Sequence, residues 1–230
     1  MKYSIRTLIS SRKFFFGTIL LLLLLFLLSP VSGEKSWLMP VNANHPFWLN
    51  VFFVNYTFMG DGIFAICLSA VFIFYFKKKE QGTALLVGFL LSEIVVQSLK
   101  NIYSFTGPMV FLEPGQHLFI TDTISTDQGN LISGHTAIAF AIATVLILVV
   151  KNSNWQLPLL AMAMLLGYSR IYLAQSYLSE IITGIVVGTV SGIASVYLAY
   201  HFNGYRHFFK KFFSMNKSVV LSTERNIQSI

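Results

Sequence analysis

Residues 132–150 read ISGHTAIAFAIATVLILVV. From Gly134 to Val150 there is no charge and no polar face. The only features are the small Ser133-Gly134 pair and His135 at its head. A run this long, without period-two alternation, forms a helix rather than a barrel strand. Five more apolar runs lie at about 14–28, 60–76, 83–99, 157–173 and 180–201. Of the 230 residues, 55% are hydrophobic and 11% charged, with mean hydropathy +0.67. A soluble domain carries about a quarter charged residues, so most of this chain's surface must meet lipid. In lipid the backbone has to satisfy its own polar groups, which helices do. The sequence therefore predicts an all-α polytopic membrane protein, a six-transmembrane-helix bundle. Some runs are short for a span of roughly 20 residues. Aromatics such as Phe47, Trp48, Phe52, Phe53 and Tyr56 extend the ends at the interface.

The charges orient the bundle. Of the 16 Lys and Arg residues, those at 2, 6, 12, 13, 77, 78, 79, 151, 206, 210, 211, 217 and 225 fall on one side of a six-span model, and only Lys35, Lys100 and Arg170 on the other. Positive loops face the cytoplasm, so both termini are expected inside. Short loops suit a bacterial inner (cytoplasmic) membrane, with the opposite side facing the periplasm or exterior. Topology thus explains the net charge of +7, and no nucleic-acid partner is needed. Residues 205–213 alternate aromatics with Arg206, Lys210 and Lys211 and read as an interfacial segment on anionic lipid.

The organisation expected is a basic head and first span at 1–33, a membrane domain at 34–201, and a cytoplasmic basic tail at 202–230. The first run ends in Ser29-Pro30-Val31-Ser32-Gly33, which suits either a signal peptide or a retained span; the retained helix is the preferred reading. Cys67, expected to be buried in its apolar run, is the one cysteine, so no disulfide can form within the chain. Gly184, Gly188 and Gly192 form a small-residue face, expected inside the bundle, with dimerisation as the alternative. Glu93 and Gln97 are expected to bond between helices. Asp61 is expected to cap a helix. Glu113, Asp122 and Asp127 read as solvated loop acids.

Lys100 and Arg170 sit at outer helix ends, against the positive-inside bias. Singly, each reads as a cation snorkelling at a helix end; together they could clamp one anion. Between them stands the Ser133-Gly134-His135 turn, whose backbone N–H groups and helix dipole favour an anion. Ser133 can also cap the helix, and His135 can exchange a proton near neutral pH.

The combination is more informative. Lys100 followed by Gly107-Pro108, then Ser133-Gly134-His135, then Ser169-Arg170 with Ser176 and Glu180 resembles the three-part signature of the type-2 phosphatidic acid phosphatase and vanadium haloperoxidase superfamily, in its membrane-bound lipid phosphatase branch. The spacing agrees throughout. The text Met59-Gly60-Asp61-Gly62 and residues 167–175, GYSRIYLAQ, is also similar. The resemblance implies a phosphatase working without metal or cofactor. It implies that Lys100, Ser133, Gly134 and Arg170 bind phosphate, and that His135, Ser176 and Glu180 hold the catalytic positions. Its partner would be a lipid phosphate or polyprenyl pyrophosphate among membrane lipids, met at the outer face.

The departures fall on the chemistry. The first-motif Arg is Gly107, which removes a bidentate phosphate contact. The Pro before Ser133 is Ile132. The nucleophilic His is Ser176, and the Asp that orients it is Glu180. A serine hydroxyl, one bond beyond Cβ, falls short of the phosphorus an imidazole would reach, and it needs a base to attack. Glu180, one turn on, could be that base or a structural partner. His45, His201 and His207 lack matching spacing, and His117 in the outer loop stays open as a stand-in. The expectation is a family scaffold with impaired chemistry. The alternatives are a non-catalytic protein that binds or regulates a phospholipid and, last, a small transporter, which would need a continuous polar path.

Overall fold

The structure, a computed structural model, describes residues 11–42, 46–102, 132–150 and 153–200, with side chains of 30–42 and of residue 102 left aside. Gly107, His117, His45, the outer-loop acids and the tail beyond residue 200 lie outside the described residues. Every regular element among those described is helical. The order is α1 (Arg12–Asn42), α2 (Phe47–Thr57), a 3-10 turn (Phe58–Gly60), α3 (Gly62–Ala70) continued by a π turn (Val71–Tyr75), α4 (Lys79–Ile102), α5 (Gly134–Val150), α6 (Gln156–Tyr172) and α7 (Leu178–Tyr200).

Three of these helices are long and apolar enough to cross a membrane, through Arg12–Ser29 of α1, Lys79–Asn101 and Leu178–Tyr200. The bent pair Phe47–Gly60 and Gly62–Tyr75 makes up to a fourth. The protein is thus an integral membrane protein with three to four such spans among the described residues. The six expected from hydropathy are not all long enough: α5 has 17 residues, about 26 Å of helix, against a hydrocarbon core of about 30 Å.

α5 is the axis of the bundle. A helix apolar all round is buried all round, and 13 of its residues, Thr136 to Val149, are buried. One face meets α3, α4 and α7 through Ile138, Ile142 and Val145. The other meets α1, α6 and α7 through Phe140, Ala143 and Ile147. The glycine stripe of α7 makes that packing close. A Cβ at Gly184 would lie 2.8 Å from the Ser133 carbonyl oxygen, one at Gly188 would overlap the Ala137 carbonyl, and one at Gly192 would lie 2.7 Å from Thr144 Cβ. The stripe is therefore an internal packing face, as expected.

α1 belongs to the same bundle. Phe14 and Thr18 are buried, and the Gln156 side chain accepts the Lys13 and Phe14 amides at 3.1 and 3.3 Å. Both are first-turn donors without an i−4 partner, and the Phe14 amide is shared with the Ser11 carbonyl at 3.1 Å.

One local expectation holds and two are corrected. Asp61 caps a helix, as expected, where the run at 60–76 begins at a bend. Asp61 is extended (φ −82°, ψ 149°), its carboxylate accepts the Ile63 amide, and α2 meets α3 at 61°. Glu93 and Gln97 do not bond between helices: Gln97 Nε2 donates to Glu93 Oε1 at 2.7 Å within α4, because residues four apart share a helix face. Cys67 is exposed on α3, since the apolar run around it has an outer, lipid-facing side.

Candidate active site

Four helix ends converge on the site. α6 stops after Tyr172 in a two-bond reversal: Ala174 N–H donates to Ile171 O at 3.0 Å and Gln175 N–H to Arg170 O at 2.9 Å. This is the Schellman pattern, which needs a left-handed residue after the last turn; Ala174 occupies it at φ 53°. The Ser176 amide also points at Arg170 O, at 3.3 Å. The reversal folds Gln175 and Ser176 back onto Arg170 before α7 begins. α5 is pinned to the start of α7 by its leader, since Ser133 N–H donates to the Glu180 carbonyl at 3.0 Å. Lys100 comes from the last turn of α4. Gly60 and Asp61 come from the α2–α3 bend.

These groups line one cavity of about 310 Å³. All seven residues singled out in the sequence face it: Lys100, Ser133, Gly134, His135, Arg170, Ser176 and Glu180. They are far apart in the chain, and the bundle brings them together. Gly60, Asp61, Gly62, Phe89, Glu93, Ile132, Ile138 and Gln175 complete the lining.

Most of the polar groups are held firmly. Arg170 is buried, and its Nη1 donates to Gln175 Oε1 and, at 3.5 Å, to Thr57 Oγ1. Thr57 is carried by α2, which is tied to α6 by the Tyr172 hydroxyl donating to Asn50 Oδ1 at 2.6 Å and by the Phe53 and Tyr172 rings at 4.6 Å. Ser133 Oγ accepts two hydroxyls, from Thr136 at 3.0 Å and from Ser176 at 3.3 Å. Ser133, Thr136, Ser176 and Glu180 are all buried. The Ser176 hydroxyl is thus paired with another hydroxyl. Gly60 packs against His135, where a Cβ would lie 2.8 Å from the His135 carbonyl oxygen.

Gln175 and Thr57 were not singled out from sequence. Nothing in the text marks either as a partner of Arg170, since their contacts depend on the reversal and on the α2–α6 packing. Gly60, Asp61 and Gln175 do lie inside the family-like stretches, which is the only signal they carry.

With this geometry in place, comparison with known proteins defines the class. The PAP2 superfamily model matches residues 81–204, more than half of the chain, and the chain belongs to that superfamily. Among particular proteins, it is 29% identical over 136 residues to a lipid A 4'-phosphatase of Porphyromonas gingivalis, an alignment covering 55% of this chain and 57% of that protein. The match thus takes in little more than half of that relative's length. The crystal structure of Aquifex aeolicus LpxE superposes at TM-score 0.60 with 28% identity, over 71% of this chain and 94% of that one. A transmembrane PAP2-type phosphatidylglycerolphosphate phosphatase from Bacillus subtilis superposes at 0.56 with 18% identity, over 85% and 96% of the two chains; at that identity the likeness is one of fold.

Proposed function

We propose that the protein holds the phosphate of a membrane lipid at the outer face of a bacterial inner membrane, in a PAP2 site whose hydrolytic chemistry is impaired. The bundle spans six times in this reading, with α1, the α2–α3 pair, α4, α5, α6 and α7 as spans and both termini cytoplasmic. The phosphate sits between Lys100 and Arg170, against the Ser133-Gly134-His135 turn at the head of α5. Two cations, free helix N–H groups and the helix dipole all favour a dianion there. The Ser133 hydroxyl, held by Thr136 and Ser176, lines the same cavity.

The observation that carries this reading is the gathering of Lys100, Arg170 and the Ser133–His135 turn on one cavity. Impairment rests on Ser176. Its side chain is short, and its hydroxyl pairs with the Ser133 hydroxyl at 3.3 Å, a partner that is not a base able to make it a nucleophile. Hydrolysis of a lipid phosphate or polyprenyl pyrophosphate is the reaction class if turnover survives, with His135 placed to protonate the leaving group. Transport has less support. Glu93 does line the cavity, but beyond Phe89 the α4 face passes into buried Leu85 and Ala84, packed on Val145 and Leu148. The cavity is blind on that side.

The test is phosphate release from a panel of lipid phosphates and polyprenyl pyrophosphates by the purified protein and by Ser176→His, Ser176→His with Glu180→Asp, and His135→Ala. The expected result is little or no native turnover and a gain in one of the histidine variants. A lost nucleophile costs several orders of magnitude in rate, so the gain should be large. Robust native turnover abolished by His135→Ala would refute impairment while keeping the phosphate site.

A further inference from the structure

The end of the bundle away from the phosphate cavity carries a different surface. There α3, after its π turn, passes through Phe76, Lys77 and Lys78 into α4. Lys78 N–H donates to Phe72 O at 2.9 Å, and Lys77 stands at φ 54°. This is a left-handed reversal like the one that ends α6, one residue wider because it follows a π turn. Lysine occupies the place where glycine is the usual residue. The turn is tight. The Gln81 and Gly82 amides donate to the Lys78 carbonyl at 3.0 and 3.1 Å. α4 crosses α3 so closely that a Cβ at Gly82 would lie 2.7 Å from the Ser69 carbonyl oxygen.

The turn displays rings first and charges next. Phe74 and Tyr75 are 78% and 79% exposed, and the Tyr75 and Phe76 rings meet edge to face at 5.1 Å. Phe74 lies about 20 Å of helix from Asp61, so these rings stand at the far margin of the apolar part of α3. Lys77, Lys78 and Lys79 follow, all exposed, with Glu80 beside them. Among the described residues these three lysine side chains have no ion-pair partner. Arg12 and Lys13, at the head of α1, are exposed at the same end, since Phe15 and Phe72 pack on the one core cluster that holds Leu148 and Val149. The cavity end is different: there Lys100 and Arg170 share their cavity with Asp61, Glu93 and Glu180.

We propose that the α3–α4 turn binds the headgroups of anionic phospholipids in the leaflet opposite the phosphate cavity. Exposed rings settle at the boundary between acyl chains and headgroups, which sets Lys77, Lys78 and Lys79 at the level of the lipid phosphates. An acidic protein would meet the lysines but not the rings, which lie at the depth of the lipid. A zwitterionic headgroup brings its own cation and gains little, whereas an anionic surface is favoured roughly fivefold by each nearby lysine. The tight turn holds the three stems in one place, so less ordering is lost on binding. A strained backbone position is kept where its side chain is needed, and Lys77 keeps its charge there. The inference does not need the phosphate reading; only the naming of the leaflet as cytoplasmic rests on the orientation proposed above.

The experiment uses the full chain with Tyr75→Trp as its sole indole, in a Trp37→Phe, Trp48→Phe, Trp155→Phe background. It is placed in phosphatidylcholine nanodiscs with rising fractions of brominated phosphatidylglycerol or brominated phosphatidylcholine. Quenching then reads the lipid beside the turn and not the distant cavity. Phosphatidylglycerol is expected to reach half-maximal quenching at about a tenfold lower fraction, and salt at roughly 1 M to abolish the difference. Lys77→Gln, Lys78→Gln and Lys79→Gln together are expected to remove the preference at an unchanged unfolding midpoint. Lys77→Gly alone is expected to raise the midpoint and weaken the preference severalfold. Equal quenching by the two lipids leaves the lysines to solvent or to an acidic protein and overturns the proposal. So does a preference that survives the triple substitution. Loss of preference in Arg170→Ala, with the lysines intact, assigns the lipid to the phosphate cavity and also overturns it.

Discussion

Single residues decide how stiffly the site is held. Gln175 reaches back to the Arg170 guanidinium across the α6–α7 reversal, and Arg170 is buried, so loss of that acceptor frees a cation that must stay aimed at the anion. Gln175→Ala is expected to weaken phosphate binding about 5- to 50-fold, the range for a charge-assisted hydrogen bond of roughly 1.5–3 kcal/mol partly replaced by water, with Gln175→Glu retaining the hold on Arg170. Calorimetric titration of both variants checks this, and unchanged affinity in Gln175→Ala would remove Gln175 from the site. Ala174 stands at φ 53° where glycine is the usual residue. Ala174→Gly should raise stability by up to about 1 kcal/mol, measured as a higher unfolding midpoint in detergent, provided relief of strain exceeds the added unfolded-state entropy. A lower midpoint would mean the left-handed turn carries no cost here.

At the level of helices, close approach and capping do the positioning. Gly188 brings α7 onto the backbone of α5 at Ala137, and the same contact seats Ser133 against Glu180. Gly188→Leu should destabilise by roughly 1–3 kcal/mol through overpacking and should also disturb phosphate binding; a stable variant with intact binding would show that the two helices can separate at no cost. Gln156 caps α1 from across the bundle. Gln156→Ala should cost about 0.5–2 kcal/mol, the range for a lost N-cap, without altering ligand affinity. The helical runs were legible because each is apolar over many residues without period-two alternation. The 61° bend was not, because it depends on Asp61 leaving the helical region while its side chain supports a new helix.

For the whole molecule, the testable feature is orientation. In a Cys67→Ser background, Asn101→Cys, beside Lys100, should react with a membrane-impermeant maleimide in intact cells. Lys78→Cys, at the α3–α4 turn, should react only after the inner membrane is opened. The reverse pattern would place the site on the cytoplasmic side and remove an outer-face substrate. The bend at Asp61 and the central burial of α5 are what bring α4, α5, α6 and the α2–α3 corner to one end of the bundle, around the polar cavity.

The sequence by itself determined that this is a helical membrane protein, which residues could carry phosphate chemistry, and where the family pattern is broken. The first follows from hydropathy and charge placement along the chain; the other two are what the resemblance of its motifs to the family implies. Tertiary structure alone decided that Lys100, His135 and Arg170, far apart in the text, face one cavity. It also decided that Ser176 pairs with Ser133, and that Gln175 and Thr57 hold Arg170. These are contacts between helix ends. They depend on crossing geometry, on glycine-mediated approach and on a left-handed turn, none of which leaves a periodic mark in the sequence.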